Sequence, residues 1–186
     1  MGNFMQPNNK DRALDIPAEL PILPLRNTIA YPFSVMPLEV GVPRSVKLIE
    51  DALQGNHLIG LVTMKDPSIE EPQPGEVHEI GTVARVHRSL RAPDNTLKVI
   101  VECLERFRVE HWLDPTPYLR AHIKLAPDIV ESGIELDVLH RSVRDLAKEV
   151  VSLSPNLPEE ASHFLSTIKD SRYLTYLVAT NTNLEV

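Results

Sequence analysis

The chain has 186 residues, 42% of them hydrophobic and 24% charged, which is enough apolar material for one large or two small soluble domains. Nineteen Lys and Arg against twenty-six Asp and Glu give a formal charge of −7, which works against non-specific attraction to polyphosphate or to an anionic membrane surface. Its single cysteine, Cys103, excludes an internal disulfide and fits a cytoplasmic setting, no run approaches the ~18 apolar residues of a membrane span, and residues 1–10 lack the apolar centre of a signal peptide.

Residues 1–16 are polar and show neither helical nor strand periodicity, so they are expected to form a flexible tail. Glu19-Leu-Pro-Ile-Leu-Pro-Leu25 alternates apolar residues with prolines and predicts a short edge strand, where missing amide donors do little harm. Arg26-Asn27-Thr28 then reads as a turn. After the apolar run from Ile29 to Val40, Pro43 suits the first turn of a helix whose stripe includes Val46, Ile49 and Leu53, with Leu48 and Ala52 beside it. Gly55-Asn56 should stop that helix. Residues 58–64 predict a strand buried on nearly both faces, and the proline-rich, glutamate-rich stretch 65–79 predicts a solvated loop.

Alternation of period two is clearest over 80–125. Ala84, Val86 and Leu90 share one parity against Arg85, His87, Ser89 and Arg91, and beyond Ala92-Pro-Asp-Asn95 the set Leu97, Val99, Val101, Cys103, Phe107 and Val109 shares another. This predicts a long β-hairpin, followed by a strand with Leu119, Ala121, Ile123 and Leu125 inward. Half-buried antiparallel strands with prolines at their ends predict a small barrel or sandwich. Beyond Pro127 the period changes: Leu136, Leu139, Val143, Leu146, Val150 and Leu153 alternate three- and four-residue spacing, a helix with a narrow seam expected to form the core of a helical subdomain. Ser154-Pro-Asn-Leu-Pro158 should end it. A second helix, with Phe164, Leu165 and Ile168 on its apolar side, and a third capped by Asp170 or Ser171 are expected to follow. The expected organisation is a tail at 1–16, a β-rich subdomain at 17–127 and a helical subdomain at 128–186.

The order of motifs resembles the N-terminal domain of the Lon family of ATP-dependent proteases. The resemblance rests on Leu20-Pro-Ile-Leu-Pro-Leu-Arg26, Tyr31-Pro32, Pro37-Leu38, Val40-Gly41, Leu61-Val62-Thr63 with Lys65-Asp66-Pro67, Gly81-Thr82-Val83-Ala84-Arg85, Leu104-Glu105-Arg106, Tyr118-Leu119-Arg120-Ala121 and Pro158-Glu159-Glu160. It implies an α+β fold in which a PUA-like β pseudobarrel with one helix precedes a small C-terminal helical subdomain. It also implies a part of a larger protease that selects unfolded or damaged proteins and helps organise a homo-oligomer, a hexamer in the full-length family. No G-x-x-x-x-G-K-[ST] phosphate loop and no segment resembling the family's Ser-Lys proteolytic site occur in the sequence. The chain is therefore expected to be non-catalytic and to need no cofactor.

Other chemistry is weakly represented. None of the seven histidines falls in H-E-x-x-H, Cys103 has no C-x-x-C partner, and Ser166 with Lys169 has no third group to orient it, so no metal or catalytic residue is assigned. The outward strand parity collects Arg85, Arg106, Arg108 and Arg120, and PUA-like folds often bind RNA. That makes a nucleic-acid-binding module the alternative reading, opposed by the acidic whole and an aromatic content of 5%. The leading interaction candidate is Ile29-Ala-Tyr-Pro-Phe-Ser-Val-Met36, where Tyr31, Pro32, Phe33 and Met36, with Leu25 nearby, would offer an apolar surface to a substrate protein. Arg44 and Lys47, early in the first helix, are the expected contacts to a neighbouring domain.

Overall fold

The computed structural model describes residues 3–4, 15–154, 158 and 160–182. The chain forms two compact units, residues 1–127 and 128–185. In the first, strands β1 (Asn3–Phe4), β2 (Glu19–Leu25), β3 (Ser34–Val40), β4 (Leu58–Met64), β5 (Val77–Arg91), β6 (Leu97–Trp112) and β7 (Arg120–Leu125) form one sheet in the order β1-β3-β6-β5-β4-β2-β7. Helix α1 (Pro43–Gln54) lies between β3 and β4 in sequence. The sheet closes because β6 serves three neighbours: β5 throughout, β3 along 97–102 and β7 along 107–112. The architecture is the expected α+β pseudobarrel followed by helices.

Strand β4 is buried along its whole length because it has apolar partners on both faces. Ile59 and Leu61 join Leu23, Leu25, Val99 and the α1 residues Leu48, Ile49 and Ala52 in one cluster, while Leu58, Val62 and Met64 join Leu20, Ile22, Phe107 and Leu119 in another. Two glycines make the second cluster possible. A Cβ on Gly60 would stand 2.8 Å from Phe107 Cζ and 2.6 Å from Ile22 Cδ1, and one on Gly81 would stand 2.7 Å from the same ring atom and 2.4 Å from the Leu61 carbonyl oxygen.

Five expectations change here. Strand β2 is not an edge: it pairs antiparallel with β7 over 19–21 and parallel with β4 over 22–25, so each proline lies in a half tied chiefly to one neighbour. Asn3–Phe4, expected within a structureless tail, pair with Ser34 and Val35; the rest of 1–14 lies outside the described residues. Strand β5 starts at Val77 rather than near 80, and Val77 is fully buried. Leu90 is 70% exposed, because an extra residue in β5 between Val86 and Arg88 shifts the register and turns the strand's end over. Leu125, the last residue of β7, is also exposed.

Turn chemistry at the β5–β6 hairpin follows the sequence: Asn95 adopts φ 71° and Asp94 accepts hydrogen bonds from the Thr96 amide and hydroxyl. At the end of α1 the left-handed residue is His57 (φ 63°), whereas Gly55 keeps a negative φ.

The second unit holds α2 (Ile134–Leu153), α3 (Glu160–Thr167) and α4 (Ser171–Asn181). Its centre is Leu165, Ile168, Tyr173 and Leu174, with Phe164 edge-on to Tyr173. Asp170 caps α4 through the amides of Arg172 and Tyr173. The breaker residues 155–157 and Glu159 lie outside the described residues. The α2 seam divides and is not fully buried anywhere: Leu136 and Val143 are half-buried, whereas Leu139, Leu146, Val150 and Leu153 are exposed, because α2 turns the side with His140, Arg144, Ala147 and Val151 to its neighbours. Among the described residues no helix is long and apolar enough to cross a membrane.

Two predictions follow from this packing. Gly81→Ala forces a methyl group against a backbone carbonyl that cannot rotate away, so urea unfolding should show a loss of about 2–3 kcal/mol. Burial and the adjacent Arg144 charge hold the His140 pKa below its ordinary value, with Asp137 and Asp170 opposing. The unfolded chain therefore takes up this proton first, and stability present above about pH 6.5 is lost as pH falls through the lower folded value. His140→Gln should flatten that acid slope for the helical unit, followed by circular dichroism melts from pH 7 to 5.

Candidate functional site

The segment leading into the candidate surface is pinned from below by two threonines. Thr63 on β4 donates its hydroxyl to the Thr28 carbonyl at 2.9 Å, and the buried Thr82 on β5 donates to the Ala30 carbonyl at 2.7 Å. Ala30 and Pro32 are buried. The chain then turns sharply: the Ser34 hydroxyl donates to the Tyr31 carbonyl at 2.6 Å and the Phe33 amide donates to the Cys103 carbonyl at 2.9 Å. Phe33 sits at φ 65°, a left-handed conformation that costs an L-aromatic residue about 1–2 kcal/mol. That strain is held by the surrounding hydrogen bonds.

The expected contact residues separate. Tyr31, Phe33 and Met36 are half-buried, each with part of its side chain reachable from solvent. Leu25 and Pro32 are buried where an outward position was expected, and Leu25 belongs to the cluster that includes the α1 residues. Leu25 still shares a cavity of about 310 Å³ with Met36, walled by Leu23, Leu38 and Val40 and flanked by Arg26 and Glu39. The cavity lies between β2 residues 23–25 and β3 residues 36–40, two segments that do not pair with each other.

Arg44 and Lys47 are engaged within the unit. Arg44 donates to the Pro72 carbonyl, fixing the 65–76 loop. Lys47 pairs with Asp51 at 2.6 Å, and Asp51 also accepts the Tyr118 hydroxyl. The Lys47 hydrogen bond holds the Asp51 carboxyl below its ordinary range against a small opposing effect of burial.

The basic strand face is a mixed-charge lattice. Arg85 and His87 both meet Glu102, at 3.8 and 2.7 Å, Arg91 meets Glu50, Lys98 meets Glu39, and Arg120 and His122 meet Glu19. Each carboxylate offsets charge that a polyphosphate would need. Cys103 is buried, and burial pushes its thiol up to about 11, which suits a core residue and not a nucleophile. Ser166 donates to the Ser162 carbonyl along its own helix. Among the described residues no three His, Cys, Asp or Glu side chains converge on a metal position.

Sequence reading missed Thr63 and Thr82 as supports, and the signal for them was present: Thr63 is the polar residue in the apolar run 58–64, and Thr82 shares the inward parity of Ala84 and Val86. Thr82→Val leaves the Ala30 carbonyl buried without its donor, so it should lower stability by about 1–3 kcal/mol and speed amide exchange over 29–34, read by hydrogen-exchange NMR.

Known proteins resemble the chain along nearly its whole length. The family model described as the ATP-dependent protease La (LON) substrate-binding domain matches residues 19–186. A Lon protease of Dictyoglomus thermophilum is 41% identical over 182 residues, covering 98% of this chain and 23% of that protein. Lon protease 2 of Sorangium cellulosum is 39% identical, covering 87% and 20%. The solved N-terminal domain of Mycobacterium avium complex Lon protease superposes with a TM-score of 0.71 at 17% identity, covering 89% of this chain and 84% of that one, a likeness of fold. The chain thus spans about a fifth of the length of the curated relatives it matches.

Proposed function

The chain belongs to the Lon substrate-binding domain family, and from that premise we propose that it captures unfolded or damaged proteins through the apolar turn formed by Tyr31 and Phe33 with Met36 beside it. By family it is a substrate-binding and not a catalytic domain. The observation that carries the reading is the strained, hydrogen-bonded turn, which holds two aromatic side chains part-way out of the core in a conformation that folding alone would not favour. The neighbouring cavity between β2 and β3 would accept an aliphatic side chain of a client against Leu25 and Met36. Transfer to an ATPase ring, in a cytoplasmic setting, would follow capture.

Such contacts are weak singly, and their repetition around a homo-oligomer would raise apparent affinity by multivalency. Of the two cations expected to meet a neighbouring domain, Lys47 is the more exposed, since Arg44 is taken up by the 65–76 loop. Nucleic acid is a poorer partner for this surface, because Arg85, Arg91 and Arg120 of the strand face already meet carboxylates.

Tyr31→Ser combined with Phe33→Asn, the latter chosen because Asn tolerates left-handed backbone, should weaken binding of a permanently unfolded protein by about tenfold, equivalent to ~1.4 kcal/mol. The melting temperature should hold or rise. Isothermal titration at two salt concentrations reads the affinity; undiminished binding by this double variant removes the turn from the reading, and affinity that collapses with salt would favour a charged partner.

A further inference from the structure

Helix α2 leaves apolar surface uncovered in an ordered stripe. Leu139, Leu146 and Val150, with Leu153 at 76% exposure, stand out beside the half-buried side of the helix. At helical pitch these four fall within about 60° of arc and extend about 21 Å. Toward the start of α2 the stripe enters a groove of about 770 Å³ lined by Ile129, Val130, Leu136, Leu139 and Tyr176, and Ile129 is 91% exposed. Single exposed apolar residues are ordinary; a contiguous set marks an interaction surface.

Charge says what kind of surface it is. Glu131 at the groove and Glu135, Asp145 and Glu149 along the solvent flank of α2 are all exposed, and none of them meets a cation among the described residues. Lys148 falls opposite the stripe on the helical wheel, Arg141 lies one turn before Asp145 and away from the stripe, Arg144 donates to the Ile168 carbonyl, and Arg172 in the groove is held by Asp128. A second copy of α2 laid antiparallel on the stripe would set the same acidic flank against itself, with no cation supplied to offset it. The three- and four-residue spacing suits another helix, and the carboxylates suit a cationic one.

We propose that this acid-bordered stripe docks an amphipathic helix of a client protein, one whose apolar residues repeat at three- and four-residue spacing and are flanked by Lys or Arg. It would read a helical tag, distinct from the extended chain captured at Tyr31 and Phe33. The identification of the occupant as a client rests on the client-capture reading above; the location and charge of the site do not.

The test titrates the isotope-labelled 186-residue chain with three peptides of about five helical turns: leucines in helical spacing with lysine flanks, the same with glutamate flanks, and the lysine peptide in shuffled order. The lysine peptide should shift amides over 129–153, bind about tenfold more tightly than its glutamate twin, and weaken as salt rises. Leu146→Ser with Leu153→Ser, and separately Glu135→Lys with Glu149→Lys, should each cost about tenfold in affinity, whereas the Tyr31 and Phe33 variant should bind the peptide normally. Equal binding of all three peptides, or absence of shifts in α2, overturns the proposal. So does a dimer in sedimentation that Leu146→Ser dissolves, which assigns the stripe to a second copy. Failure of the peptide in a longer polypeptide, where the domain is followed by the rest of a Lon protease, overturns it in favour of a downstream segment. If unfolded clients ignore the Tyr31 and Phe33 turn while the peptide results hold, only the reading of the turn fails.

Discussion

The ring of Phe107 occupies space that side chains at Gly60 and Gly81 would otherwise fill, and the closed sheet is built around that substitution. Strands β4 and β5 can approach the ring of β6 only because both present bare backbone there. Phe107 stands at the start of the β6 segment that turns from β3 to β7, so its packing sits where the sheet closes on itself. The next residue after Gly81 is Thr82, whose hydroxyl reaches the Ala30 carbonyl. A packing constraint in the middle of the barrel is therefore linked, through one residue of β5, to the placement of a surface turn 52 residues earlier in the chain.

Periodicity made much of this visible before any coordinates. The β5–β6 hairpin, its Pro-Asp-Asn turn, the buried β4 and the α1 stripe all arise from local rules of alternation, turn chemistry and capping, and all are present. What alternation could not foresee was its own interruption. One extra residue near His87 reverses the sense of the strand and puts Leu90 in solvent, and such a bulge depends on the partner strand and not on β5 alone. Likewise the seam of α2 was legible as a seam, but whether a neighbour covers it is a tertiary fact. The residue types at the candidate turn were recognised, whereas the burial of Leu25 and Pro32 depended on where α1 and the turn's own backbone came to rest.

The net charge of −7 also acquires a distribution. In the barrel, cations and carboxylates alternate across neighbouring strands and largely cancel, as at Arg120 with Glu19 and Arg85 with Glu102. Exposed pairs of this kind add little stability. Their effect is to leave the barrel's long-range field weak, so that short-range apolar contact decides what adheres to it. On α2 the carboxylates border apolar side chains without such cancellation, and there the field persists to the distance of a Debye length, roughly 8 Å in physiological salt.

Cys103 lies directly behind the Phe33 turn, lending its carbonyl to the Phe33 amide while its own thiol is buried and poorly ionised. Being the only sulfhydryl in the chain, it is a built-in clock for breathing of the β3–β6 region. An alkylating reagent can reach it only when that part of the sheet opens, so the rate of labelling measures local opening without any engineered probe. A bound client that braces the turn would slow the clock, and one that pries β3 away would speed it.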